Sequence, residues 1–227
     1  MAHASPALHG LGFALSAVGG VIYSLGNPLS DFNKLYLRIT TSVLERLDDG
    51  RFADPQFLSR LDVEFAARYF DALRAWSDGS PSCPRTWSVL FRRIAGPDCR
   101  PLPSAVAGVN AHINFDLPFA LVTTFDHIGM DPVDDGDQHH DYLQINDIFA
   151  EAIPELRRGY LDNWQLWIDT MNGDLDDLWQ GELVEYTRNV AWRNAQKLWT
   201  MRHDLRATTI ERERLDVAPT SVLGLFV

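Results

Sequence analysis

The sequence predicts an all-α protein, a single-domain bundle of about six to eight helices. Three observations lead there. Apolar residues recur at spacings of three and four over most of the chain, the period of a helix with one buried face. Alternating apolar and polar runs joined by hairpin turns are absent. No internal repeat, low-complexity tract or long linker divides the 227 residues, so one core serves residues 1–227.

Composition agrees: 46% of residues are hydrophobic and 22% charged, as in an ordinary globular domain. The formal net charge of −11 repels phosphate backbones and anionic headgroups, which argues against nucleic acid and membrane surfaces as partners. It leaves a small apolar or mixed-polarity molecule as the expected ligand and is compatible with a homo-oligomer. Two cysteines, Cys83 and Cys99, form no C-x-x-C pair and demand no oxidising compartment.

Taken in order, residues 1–27 form an apolar strap. Ala7 to Gly26 is long enough to span a bilayer, yet it has five glycines, two serines and His9, and no basic residue precedes it. A strap packed on the core of a cytoplasmic protein is the expectation. Ser30 or Asp31 caps a helix that stops at Asp48-Asp49-Gly50, its stripe being Phe32, Leu35, Tyr36, Ile39, Val43 and Leu47. Helices are also expected from Ser59 to Trp76, Thr86 to Ile94, Leu102 to Phe125 and His140 to Tyr160. A turn or two spans Asp162 to Met171, a long helix runs from Leu175 to Leu205 with a stripe that includes Leu183, Tyr186, Val190, Ala191, Ala195 and Leu198, and 206–227 form a C-terminal tail. The loop DHIGMDPVDDGDQHH lacks the Ca²⁺-loop spacing and reads as a solvated acidic turn. Trp164, Trp167, Trp179, Trp192 and Trp199 read as core or cavity wall. Glu182, Glu185, Arg188 and Arg193 read as exposed helix pairs, although one arginine turned inward would bind an anionic substrate.

The run from Val109 to Leu121, VNAHINFDLPFAL, carries the chemistry. His112 and Asp116 are four residues apart and adjacent on a helix, as are Asn110 and Asn114. On a straight helix Asn110 and Asp116 lie within about 70° of the apolar stripe's centre, His112 and Asn114 about 90–110° from it. Buried polar groups need partners, so this helix borders a polar cavity or an internal network. Pro118 has no N–H for the carbonyl of Asn114, so it either kinks the helix there or begins a new one. A second cluster, His139, His140, Asp141, Tyr142, Asn146, Asp147 and Glu151, opens the next helix, which should pack antiparallel with its polar flank facing the first.

These residues resemble an uncharacterised bacterial family of helical domains of unknown function. The matching blocks are Phe32 to Thr40 (FNKLYLRIT), Leu61 to Trp76 (LDVEFAARYFDALRAW), Asn110 to Leu121 (NAHINFDLPFAL) with Asp141 to Asn146 (DYLQIN), and Ala191 to Trp199 (AWRNAQKLW). Relatives often carry His after the aspartate of the D-x-x-x-[IV]-N block, where this chain has Tyr142. The resemblance implies a site location and no particular chemistry.

Three readings of that site stand side by side. In acid–base catalysis His112 transfers the proton, Asp116 orients it and Asp141 is a second carboxylate. Asn110, Asn114, Tyr142, Asn146 and Tyr36 then bind substrate, the amides holding a carbonyl or oxyanion. Cyclisation, isomerisation, elimination and hydrolysis all fit. A divalent metal held by His112, Asp116, Asp141 and His140 is the second reading, although neither H-E-x-x-H nor paired E-x-x-H occurs. A non-catalytic ligand-binding or interaction protein is the third. Covalent and nucleotide chemistry rank lower, because neither a G-x-S-x-G elbow nor a glycine-rich phosphate loop is present.

Overall fold

A computed structural model describes residues 29–96, 107–159 and 182–226. Among them are seven α-helices and no strand. They are α1 (Leu29–Asp48), α2 (Pro55–Ser77), α3 (Arg85–Ile94), α4 (Leu117–Ile128), α5 (Asp137–Gly159), α6 (Glu182–Thr200) and α7 (Leu205–Phe226). The apolar strap, the turns at 162–171, Cys99, Trp164, Trp167 and Trp179 lie outside the described residues.

The α1 stripe is buried as its periodicity requires, and the helix ends where Gly50 adopts φ +67°. The second helix starts four residues before Ser59 because Asp54-Pro55 begins it. The Asp54 carboxylate accepts the Phe57 amide at 3.0 Å, and Pro55 occupies the first turn, where its missing N–H is no loss. The long helix expected to reach Leu205 stops at Thr200, where the chain turns through Met201–Asp204. Asp204 then caps a new helix by accepting the amides of Arg206 and Ala207. The expected tail is therefore a helix over Leu205–Phe226. Glu211 and Leu215 are buried on α7, and Asp216 accepts the Arg85 and Thr86 amides at the start of α3, each at 2.8 Å.

The helix through residues 107–128 is central, packed by α2, α6 and α7. The expected antiparallel pairing of α4 with α5 is not formed; α5 packs on α1, with lesser contacts to α2 and α6. The connecting loop explains the divergence. Asp131 and Asp134 accept the indole N–H groups of Trp199 and Trp192 at 2.8 and 2.9 Å, which ties the loop to α6 and directs α5 away. Those carboxylates are ordered acceptors rather than a merely solvated turn. Trp192 is buried in the core as expected.

The core is aromatic where these helices meet. Phe32, Phe57, Tyr69, Trp87, Phe115, Phe125 and Tyr142 are all under 3% exposed. Each contributes about 1.5–3 kcal/mol by leaving water. Gly108 lies against Phe32; a Cβ there would stand 2.7 Å from that ring, so the close approach of the two helices requires glycine.

Candidate functional site

Residues His112–Asp116 form one π turn within the central helix. The Leu117 amide donates to the His112 carbonyl, five residues back, and Pro118 sits in the first turn of α4. The helix therefore widens and restarts at the proline. The wider turn carries His112 inward from the flank a straight α-helix would give it, leaving it 3% exposed, with Asp116 at 2%.

Within the turn His112 Nδ1 lies 2.8 Å from Asp116 Oδ2, and Trp87 Nε1 donates to the same oxygen at 2.8 Å. A carboxylate beside an indole N–H is an acceptor, so this geometry assigns the imidazole proton to Nδ1 and the lone pair to Nε2. Burial pulls the His112 pKa below its ordinary value, against the opposing pull of the Asp116 hydrogen bond. The ring is thus neutral at pH 7. Phe65 stacks on it at 3.5 Å with an interplanar angle of 8°, and Tyr36 meets it edge-on at 4.9 Å.

His112 forms part of the wall of a cavity of about 60 Å³, which also includes Tyr36, Asp62, Phe65, Phe149 and Arg188. That volume corresponds to roughly two waters at liquid density or a short organic chain. The walls are otherwise aliphatic and aromatic. Three buried polar atoms among these residues, His112 Nε2, Tyr36 Oη and Asp62 Oδ2, make no hydrogen bond among the described residues. Burial raises the Tyr36 phenol well above its usual value, with Asp62 and Asp116 adding to the shift. Burial also raises Asp62 to about 7, although Arg188 pulls the other way.

Arg188 is 4% exposed rather than part of a surface pair. Its Nε donates to Asn146 Oδ1 at 2.8 Å and one Nη to the Tyr142 carbonyl at 2.7 Å. Its guanidinium lies 4.2 Å from the centre of the Tyr142 ring, and the Tyr142 hydroxyl donates to the Arg188 carbonyl at 2.6 Å. Burial lowers the Arg188 pKa, opposed by Tyr142 and Asp62.

Of the candidate residues, His112, Asp116 and Tyr36 are brought together. Asp141 is not with them. Its two oxygens accept the amides of Ala53 and Asp54 at 2.9 and 2.6 Å, so it braces the approach to α2. Tyr142 and Asn146 hold Arg188 and are not among the cavity-lining residues. Asn114 Nδ2 donates to Asn110 Oδ1 at 2.8 Å, a local pair that also lies off the cavity wall. His140 is exposed. The metal set His112, Asp116, Asp141 and His140 therefore does not converge. Among the described residues no group of three or more His, Cys, Asp or Glu is placed to hold a metal ion.

Asp62, Phe65, Trp87 and Arg188 were not among the sequence candidates. Arg188 carried a legible signal: it stands three, four and seven residues before Ala191, Trp192 and Ala195, in line with the part of the expected stripe that is buried, whereas Tyr186 of that stripe is 65% exposed. Asp62 stands one residue from Leu61 on the face that includes Phe65, a weaker signal of the same kind.

A model described as a family of unknown function, DUF5995, matches residues 14–223. The chain belongs to that family. No curated protein and no solved structure matches this DUF5995 chain. Among its described residues no helix is long and apolar enough to cross a membrane. The matched span takes in the π turn, the cavity residues and both helices that carry Asp62 and Arg188.

Proposed function

We propose that the cavity is a small-molecule site in which His112 Nε2 acts as a general base. The observation that carries this reading is the asymmetry of the imidazole. One nitrogen is held by a carboxylate that an indole fixes in turn, while the other is buried beside a cavity with no hydrogen-bond partner among the described residues. A structural histidine satisfies both nitrogens; a base needs one left for its substrate. Asp62, raised to about 7, is poised to return a proton at a second atom. A base and an acid on one wall suit proton relocation, as in isomerisation, cyclisation or elimination. Hydrolysis is less well served, because Asn114 and Asn146 are engaged elsewhere and do not supply an oxyanion site.

The same engagement of the amides favours a second reading, binding without turnover. The experiment that separates the two is a small-molecule screen by melting-temperature shift on wild type, His112→Gln and Asp62→Asn, followed by product analysis of each hit. Turnover of a hit by wild type and its loss in both variants is the expected result. Hits bound equally by all three proteins, with no product from any, leave a binding protein and defeat the catalytic reading.

A further inference from the structure

We propose that the Asp62 and Arg188 end of the cavity is a carboxylate subsite, and that the ligand is a small monocarboxylic acid with a short apolar body, bound together with one proton. This rests on the reading of the cavity as a small-molecule site. It goes further by naming the group that is recognised and the residues that recognise it.

Arg188 is a buried cation whose hydrogen-bond partners are neutral: an amide oxygen, a backbone carbonyl and an aromatic face. A guanidinium costs several kcal/mol to remove from water unless an anion compensates it. Nature places arginine in such a position where planar, bidentate recognition of a carboxylate or phosphate is needed. The apolar walls and the few donors select between those two anions. Walls such as Phe32, Ile39, Phe65 and Phe149 suit the hydrocarbon body of a carboxylic acid, and one guanidinium with one carboxyl proton suits its two oxygens but not the four oxygens and second charge of a phosphate.

Asp62 supplies the second half. Its Oδ2 is buried without a hydrogen bond, on the same cavity wall as Arg188. Two ionised carboxylates facing one guanidinium would leave a net buried negative charge, so one proton must accompany the ligand. Protonated Asp62 then donates its O–H to one ligand oxygen while Arg188 donates N–H to the ligand carboxylate. One cation, one anion and one shared proton close the charge balance. The charged and titratable groups that interact with Asp62 are Tyr36 from α1 and Arg188 from α6, and His112 from the π turn shares its cavity. Asp62 itself is raised to about 7. Retention of its proton sets the pH range over which the acid binds. His112 Nε2 and Tyr36 Oη, in the same cavity and without hydrogen bonds among the described residues, are left for the carbon-bound or hydroxyl hydrogens of the ligand's body.

The test is a titration of isotopically labelled full-length protein with isobutyrate, isobutyramide, isobutanol and isobutylamine, followed by amide and arginine Nε chemical shifts. Isobutyrate is ionised throughout pH 6–8, so any pH dependence belongs to the protein. Isobutyrate should bind at least tenfold more tightly than the other three, shift the Arg188 Nε resonance and weaken by up to tenfold per pH unit above about pH 7. Asp62→Asn keeps a donor and should bind isobutyrate with that pH dependence abolished. Arg188→Gln should lose isobutyrate selectivity. Because a buried arginine supports packing, Asp62→Asn is the arm that does not depend on Arg188→Gln folding. Equal binding of isobutyramide or isobutanol, with no pH dependence, overturns the carboxylate subsite and leaves the cavity as a small-molecule site. Tighter binding of isobutylamine overturns it in favour of cation recognition by ionised Asp62. Failure of all four probes at millimolar concentration defeats both readings together.

Discussion

Replacing Asp116 tests whether the site is organised by a charge or by an acceptor. Among the described residues both of its hydrogen bonds, from His112 Nδ1 and Trp87 Nε1, end on the single atom Oδ2. In Asp116→Asn the amide oxygen takes that position and keeps both donors satisfied. The loss is the charge assistance of two bonds, offset by no longer burying a carboxylate, so the net cost is about 1 kcal/mol or less. Asp116→Ala removes the acceptor outright. The buried indole N–H is then unpaired at about 1–3 kcal/mol, and the imidazole adds a similar amount unless its proton moves to Nε2. With the proton moved to Nε2 only the indole is left unpaired, so the expected order is Asn below Ala, with Ala at about 1–3 kcal/mol. Urea unfolding with an unchanged m-value reads the stabilities, and imidazole ¹⁵N shifts read the tautomer. Asp116→Asn should keep Nδ1–H, and Asp116→Ala should move the proton to Nε2. An Asn variant as unstable as the Ala variant would mean that His112 is protonated and ion-paired in the fold, and the general-base assignment would fail with it.

Further outcomes follow from other parts of the structure. Asp62 has a folded pKa of about 7 against an ordinary 3.8, so the native state holds its proton where the unfolded chain has lost it. Its contribution is fully present below about pH 4 and is lost as pH rises through about 7; Asp62→Asn should therefore flatten the fall in urea stability between about pH 4 and pH 7. Gly108→Ala forces the Phe32 ring away from a Cβ at 2.7 Å and should cost about 1–3 kcal/mol while weakening ligand binding, measured by melting temperature and titration. Asp141→Asn loses one of two backbone amides at Ala53 and Asp54, so about 1–2 kcal/mol of stability should go with no change in ligand selectivity.

The helices and their buried stripes were readable because a 3.6-residue period leaves a trace in any amphipathic segment. The α1 stripe is an example: every residue in it is buried. The pairing of His112 with Asp116 was readable for the same reason, since both lie within one turn. Asp141 misled because its type and neighbours suit a site, whereas its partners are backbone amides 87 and 88 residues away that no side-chain pattern displays. The tail was missed because α7 is held by contacts at its polar positions, Glu211 to Lys197 and Asp216 to the start of α3, which periodicity does not weigh. Trp87 belongs to the site only through the crossing of α3 with the central helix. Such crossings are set by tertiary packing, which local spacing does not encode.

The π turn gives the central helix two angular phases. Upstream, Val109, His112 and Ile113 are directed at the cavity; downstream, Phe125 meets Trp192 at 5.6 Å and Trp199 at 6.4 Å. A turn closed five residues back, in place of four, stores one extra residue of rotation, about 100°. Straightening the turn with its residue count unchanged would rotate one half against the other by that angle, and either the cavity wall or the tryptophan seam would then point the wrong way. Losing one residue between His112 and Asp116 would have the opposite effect: a regular helix one residue shorter keeps both halves in phase and gives up only the widened turn itself. The widening that seats His112 beside Asp116 can thus be removed without disturbing the core on either side of it.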